Sequence, residues 1–309
     1  MIEDYLDALI LDLSDTLDTV EKLGLKITTV YIGGGTPTTL SEIQLEKLLS
    51  YVSSRIDVNQ LLEFTLEAGR PDTITREKLL IAKKHGVTRI SVNPQTLNDD
   101  ILRDIGRRHT VAEFFTAYNF ARDIGFRDIN VDLIAGLPGD DFRNFSETLD
   151  RIIELKPTNI TVHTFSVKKA SDALKNNSGV YSLSGGDAAK SVSYSQIKTK
   201  FASYKPYYMY RQKNTVGNLE NVGFSLEGHE SFYNIYMMEE IQSIFAVGAG
   251  AVTKLVKCKK PFYTYPEIKR LFRPKYPYEY LRDYSPKENG DKGVPSHKDE
   301  IIAFFDSES

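Results

Sequence analysis

The octet Gly86-Val87-Thr88-Arg89-Ile90-Ser91-Val92-Asn93 is matched in pattern by Gly125-Phe126-Arg127-Asp128-Ile129-Asn130-Val131-Asp132, 39 residues further on. That offset suits one helix followed by one strand. A chain that repeats such a unit folds as a parallel sheet with right-handed crossovers. Leu25 to Val30 and Lys156 to Val162 carry weaker copies. Strands are expected at Thr28 to Ile32, Glu63 to Glu67, Arg89 to Asn93, Asp128 to Ile134 and Asn159 to Phe165. Between them, Leu6, Leu9, Ile10, Leu13, Leu17 and Val20 recur at helical spacing. Ser41-Glu42-Ile43-Gln44 and Thr110-Val111-Ala112-Glu113 have the form of capping boxes. Further helices are expected from about Thr75 to Gly86 and from Phe142 to Leu155. Five strands are too few to close an eight-stranded barrel. The fold class is therefore α/β, an open or partial (β/α) barrel. A Rossmann sheet is the alternative, but no Gly-x-Gly-x-x-Gly opens a helix with an acidic residue downstream.

The regularity stops after Ala170. Ser182 to Ser191 reads as a linker and Ala188 to Tyr204 as a helix. Tyr207 to Gln212 and Phe232 to Met237 read as antiparallel strands, giving a smaller α+β C-terminal region. The stretch Ser285 to Lys298 reads as flexible. Three segments are expected: a partial barrel over 1–168, an α+β substrate or accessory region over 169–257, and a divergent tail over 258–309.

The 309 residues are 41% hydrophobic and 26% charged, with a formal net charge of −3. That is the balance of a soluble globular chain without a basic field for nucleic acid. No apolar run approaches a membrane span, and the acidic start Met1-Ile2-Glu3-Asp4 is unlike a secretory leader. A cytoplasmic protein is expected. The one cysteine, Cys258, can neither close an internal disulfide nor hold a metal cluster alone, and the five histidines show no ligand spacing.

In parallel α/β folds, ligands bind at the carboxyl ends of the strands. The first visible strand ends in Gly33-Gly34-Gly35-Thr36-Pro37, where either a ligand or a tight turn brings the backbone close. The next ends at Glu67, the third runs into Asn93-Pro94-Gln95, and the fourth carries Asp132 ahead of Gly136-Leu137-Pro138-Gly139. Each carboxylate alone fits a paired structural acid; together they form a polar ring suited to a zwitterion bearing ribose hydroxyls. Arg107 could grip a carboxylate or simply end a helix. His109 reads as a helix-entry residue. In Tyr204 to Asn214, aromatic rings interleaved with cations fit either a flat macrocycle bearing carboxylates or a sheet packing its tyrosines.

Read in order, Gly33-Gly34-Gly35-Thr36-Pro37, Glu67, Gln95-Thr96-Leu97-Asn98, Arg107 and Asp132-Leu133-Ile134-Ala135-Gly136-Leu137-Pro138-Gly139 resemble the radical S-adenosylmethionine (SAM) oxygen-independent coproporphyrinogen III oxidase family. Tyr207 to Asn214, Gly217 to Gly223, Tyr233 to Glu240 and Gly248-Ala249-Gly250-Ala251 resemble its coproporphyrinogen dehydrogenase branch. The resemblance covers about Asp4 to Leu255 and implies a six-stranded partial barrel of which this chain has five strands. It implies that Gly34, Gly35 and Thr36 contact the methionyl part of SAM. Glu67, Gln95, Arg107 and Asp132 would hold SAM or a second SAM, with Ser166 adjoining. Tyr208, Tyr210 and Arg211 become candidates for the tetrapyrrole substrate. The implied chemistry uses a [4Fe-4S] cluster and an electron donor such as a flavodoxin or ferredoxin. A 5′-deoxyadenosyl radical takes a hydrogen from a propionate of coproporphyrinogen III, and loss of CO2 and an electron leaves a vinyl group, twice per substrate.

One departure is large. The family's Cys-x3-Cys-x2-Cys motif and the strand before it are missing from this sequence, and Cys258 cannot replace three thiolates. A truncated or mis-started protein, inactive by itself, is the expectation. It also leaves Thr28 to Ile32 as an open sheet edge. A haem chaperone and a non-catalytic SAM- or tetrapyrrole-binding remnant are the alternatives. An aldolase-type barrel enzyme finds no supporting lysine or metal cluster.

Overall fold

The structure is a computed structural model that describes residues 1–166, 185–212, 215–257, 266–284 and 297–306. Two compact units emerge: Met1–Thr28 with Glu46–Leu61 and Tyr236–Ser309, and Thr29–Leu45 with Leu62–Ile235.

The second unit holds a seven-stranded sheet in the order β1-β2-β3-β4-β5-β7-β6. The strands β1 (Thr29–Ile32), β2 (Glu63–Glu67), β3 (Arg89–Ser91), β4 (Asp128–Ala135) and β5 (Asn159–Thr164) are parallel neighbours. Two antiparallel strands follow, β7 (Asn221–Ser225) beside β5 and β6 (Lys205–Tyr210) at the far edge. The sheet curls into a half-barrel. Its helices form where the sequence caps them. In the helix Val111–Ile124, Thr110 and Glu113 make the reciprocal capping box, and Gly125 ends the helix at φ 79°. In the helix Phe142–Leu155, the Asp141 side chain accepts from the Asn144 amide. The helix Arg76–Lys84 starts with Thr75 accepting from the Lys78 amide.

Parallel strands covered by helices on both faces are usually apolar throughout. Here every second residue is polar. The register aligns Tyr31 with Thr65, Thr65 with Arg89, Arg89 with Asp128, Asn130 with Asn159 and Asp132 with Thr161. One face therefore carries Phe64, Leu66, Ile90, Val131, Leu133, Ile160, Val162 and Phe224, all buried in the core. The other carries the polar set. Because side chains alternate along a strand, a slip of one residue would invert both faces.

At the amino ends of the strands the polar face is sealed by a buried ion network. Arg89 lies 3.3 Å from Glu63 and 3.4 Å from Asp128. It donates to Asn159 Oδ1 at 2.5 Å and to the His229 carbonyl at 2.9 Å. Glu63 also accepts from Ser231 Oγ and the Phe232 amide, both at 2.9 Å, and His229 Nδ1 lies 2.6 Å from Asp128.

Some segments differ from expectation. Phe232–Glu239 is a helix, not a strand. Its aromatic alternation mimics a strand, but Ser231 caps it, with Oγ accepting from the Asn234 amide and its carbonyl from the Ile235 amide. The linker expected at 182–191 contains the start of a helix, Gly185–Phe201. The strand β7 went unforeseen. Residues 285–296, Cys258, Lys213 and Asn214 lie outside the described residues.

In the first unit, α1 (Ile2–Lys22) places Asp12 in a buried cluster. Asp12 accepts from Arg273 at 2.7 Å, Tyr280 Oη at 2.9 Å and the Gly248 amide at 3.2 Å. The hairpin β8 (Val252–Lys257) with β9 (Glu267–Phe272) and the helices Pro277–Tyr284 and Lys298–Asp306 complete this unit. No helix among the described residues is long and apolar enough to cross a membrane.

Replacing Arg89 by Leu strands two buried carboxylates. It is expected to cost about 3–5 kcal/mol, read as a lower urea midpoint at unchanged slope.

Candidate functional site

At the carboxyl ends of β1 to β5 the polar face opens onto loops. Gly33 follows β1 in register with Glu67, and a methyl group there would run into the Tyr31 ring and the Glu67 carboxylate. Gly34 takes φ 97°, and at both Gly34 and Gly35 the space a side chain would fill is open. Thr36 precedes the short turn Pro37–Thr39. This loop is stapled to the one after β2. Thr38 Oγ1 donates to the Ala68 carbonyl at 3.0 Å, and Lys78 Nζ donates to the carbonyls of Thr38 (2.6 Å) and Thr73 (3.1 Å).

Glu67 accepts from Tyr31 Oη at 3.2 Å and from the Gly34 amide. Burial and then the nearby Asp132 carboxylate push its carboxyl above the usual range, against the Tyr31 and Gly34 hydrogen bonds. Asp132 goes the other way. Burial opposes its charge, but the nearby His163 imidazole and hydrogen bonding from Asn130 outweigh burial and hold it below the usual range. Its Oδ1 accepts from Asn130 Nδ2 at 2.7 Å, and its Oδ2 lies 3.7 Å from His163 Nε2. Two carboxylates with opposed shifts in one space make this rim the candidate site.

Arg107 is half-buried and makes no ion pair or side-chain hydrogen bond among the described residues. Burial and the adjacent Arg70 guanidinium push its pKa down, while Asp72 and Asp132 pull it up. Arg70 itself is committed to Asp72 at 2.6 Å. Gln95 is buried and sits at φ 69°, a strained value for a residue with a side chain. Its amide donates to the Asp132 carbonyl (3.1 Å) and its carbonyl accepts from the Ile134 amide (3.0 Å). His109 is a buried strut, with Nε2 3.2 Å from the Pro94 carbonyl. Ser166 bridges to Thr215 just past β5.

The tyrosines of β6 are ordered differently. Tyr208 lies flat over Gly223, which has no room for a side chain, and its hydroxyl is 3.3 Å from Thr161 Oγ1. Tyr210 Oη is 3.2 Å from His163 Nδ1. Arg211 is exposed and spent on Glu220 at 2.9 Å. Glu67, Asp132, Arg107, Tyr208 and Tyr210 thus share one electrostatic neighbourhood, centred on Asp132.

This donor set fits SAM. A free guanidinium suits its carboxylate, ionisable acids suit its ammonium and ribose hydroxyls, and the open glycine loop admits close approach. It does not fit an iron–sulfur cluster. The sequence has one cysteine, and no group of three or more acids, histidines or thiols that could hold a metal occurs among the described residues.

Residues 4–152 match the Radical SAM superfamily. The heme chaperone HemW of Haemophilus influenzae is 30% identical over 291 residues, covering 91% of this chain and 68% of that protein. The oxygen-independent coproporphyrinogen-III oxidase-like protein HemZ of Bacillus subtilis is 45% identical over 75% of this chain. The chain belongs to the radical SAM coproporphyrinogen III oxidase family. It spans 46% of the length of HemZ. The coproporphyrinogen III oxidase HemN of Escherichia coli shares the fold, with a TM-score of 0.65 and 19% identity over 91% of this chain and 62% of that one. The family implies SAM and a [4Fe-4S] cluster as cofactors.

Tyr31, Asn130, Thr161 and His163 were not anticipated in the site. The signal was present in Asp128-Ile-Asn-Val-Asp132 and Asn159-Ile-Thr-Val-His163, where polar residues recur at every second position of a parallel strand.

Because the Glu67 pKa lies above its unfolded value, its ionisation costs stability at neutral pH. That cost fades as pH falls through the folded pKa. Glu67→Gln is therefore expected to raise the urea midpoint of the ligand-free protein at pH 7, by a margin that shrinks on acidification.

Proposed function

We propose that the carboxyl-end rim of the polar face binds SAM, in a coproporphyrinogen III oxidase-like protein whose substrate class is a tetrapyrrole bearing propionates. The observation that carries this is Arg107. A half-buried guanidinium with no ion-pair or hydrogen-bond partner among the described residues, within the electrostatic reach of Asp72 and Asp132, suits an anionic group from a ligand. Gly34, Gly35 and Thr36 would take the methionyl end, with Glu67, Gln95, Asp132 and Ser166 around the rest. Bound SAM supplies hydrogen-atom abstraction once it is reductively cleaved. Asp132 stays ionised as an acceptor, Gln95 is held at a fixed angle by its backbone, and the Tyr208 and Tyr210 rings offer flat contact for a macrocycle. A flavodoxin or ferredoxin donor and a cytoplasmic setting belong to the same reading.

With one cysteine, the chain by itself is proposed to bind SAM without cleaving it. Calorimetry should find SAM binding that weakens about 10- to 100-fold in Arg107→Ala, the range for losing a hydrogen-bonded charge pair. Anaerobic iron reconstitution should leave the chain without a stoichiometric four-iron cluster, and appearance of one would refute that part. A haem chaperone is the second reading, favoured by the HemW protein that this chain covers over 68% of its length. A Soret band on titration with haem, without decarboxylation of coproporphyrinogen, would select it.

A further inference from the structure

The Glu67 carboxylate does not face the polar space unaided. Tyr31 stands on the edge strand β1 and reaches Glu67 Oε2 at 3.2 Å. Its ring is stacked on Tyr233, with centroids 4.2 Å apart and planes 15° from parallel. Gly33 must be a glycine because the Tyr31 ring and the Glu67 oxygen fill the place of its side chain. The groups around Glu67 are Tyr31 and the Gly34 amide from the β1 end, Asp132 from β4, His163 from β5 and Tyr233 from the helix Phe232–Glu239. Of these, the Tyr31 hydroxyl and the Gly34 amide donate to the carboxylate directly, and His163 favours its charge from further off, while Asp132 opposes it. Tyr31 stays a donor, since burial and then the Glu67 charge push its own ionisation far above the phenol range.

We propose that Tyr31, braced by Tyr233, is a positioning residue that fixes the Glu67 carboxylate, charged and in one orientation, for the donor groups of a bound ligand. The inference rests on reading this rim as a SAM site, but it can be measured on Glu67 without any ligand. Glutamate labelled with 13C at Cδ reports the Glu67 titration in the full chain, with Glu67→Gln identifying the resonance. Tyr31→Phe keeps the ring and the stack and removes only the hydroxyl. Its Glu67 midpoint should move to higher pH, because a hydrogen bond to the charged form is gone. SAM should bind about tenfold more weakly at pH 7, the effect of one such bond. Tyr233→Leu should shift the midpoint the same way by releasing the ring, and Tyr233→Phe should restore wild-type behaviour. A wild-type midpoint in Tyr31→Phe, with the thermal melt unchanged, would overturn the proposal. A shifted midpoint with SAM bound equally by wild type and Glu67→Gln would leave Tyr31 in control of Glu67 and remove SAM as the ligand.

Discussion

Arg89 sits between Glu63 and Asp128, and the rest of the sheet depends on that arrangement. Three charges on three successive strands can be buried only if their side chains meet, so the register of β2, β3 and β4 is specified by electrostatics as well as by pattern. Asn159 carries the constraint to β5, and the carbonyls of His229 and Glu230 close the end of the polar face. With the amino ends filled by this network, the candidate site residues gather at the carboxyl ends, beside the loops.

The site is held by local conflict. Glu67 and Asp132 repel each other, Arg107 and Arg70 repel each other, and Gln95 takes a left-handed backbone angle. The zwitterionic ligand proposed above, with one ammonium and one carboxylate, would relieve both repulsions at once. The supports for this arrangement lie just behind it. Lys78 ties the two glycine-containing loops by their carbonyls, His109 props the Pro94 carbonyl, and Asn130 turns Asp132. Rigid elements carrying strained rims are the usual way a fold positions a binding site.

Much of this was legible in the sequence where the signal is local. The strands β2, β4 and β5, the capping boxes and the helices that they open are set by neighbours within a few residues. What could not be read depends on distant partners. The strand β7 is short and contains Gly223, and it is defined by pairing with Thr161 and by the Tyr208 ring that needs its missing side chain. The segment Phe232–Glu239 has a strand's alternation and a helix's cap, and the cap prevailed. Glu67, Asp132 and Arg107 were expected together from the resemblance to a known family, and the structure brings them into one electrostatic neighbourhood. Tyr31, Thr161 and His163 belong to no motif of their own, and only the polar residue at every second strand position marks them.

The Asp12 cluster has a consequence for how the chain is made. Its carboxylate, in the first helix, meets Arg273 across 261 residues and Tyr280 across 268. Ribosomal synthesis at about 5–20 residues per second separates these partners by roughly 13–50 s. During that interval Asp12 lacks the guanidinium and phenol that bury it, so the helix Ile2–Lys22 reaches its final packing only after the chain has been made out to Tyr280, long after its own residues were joined.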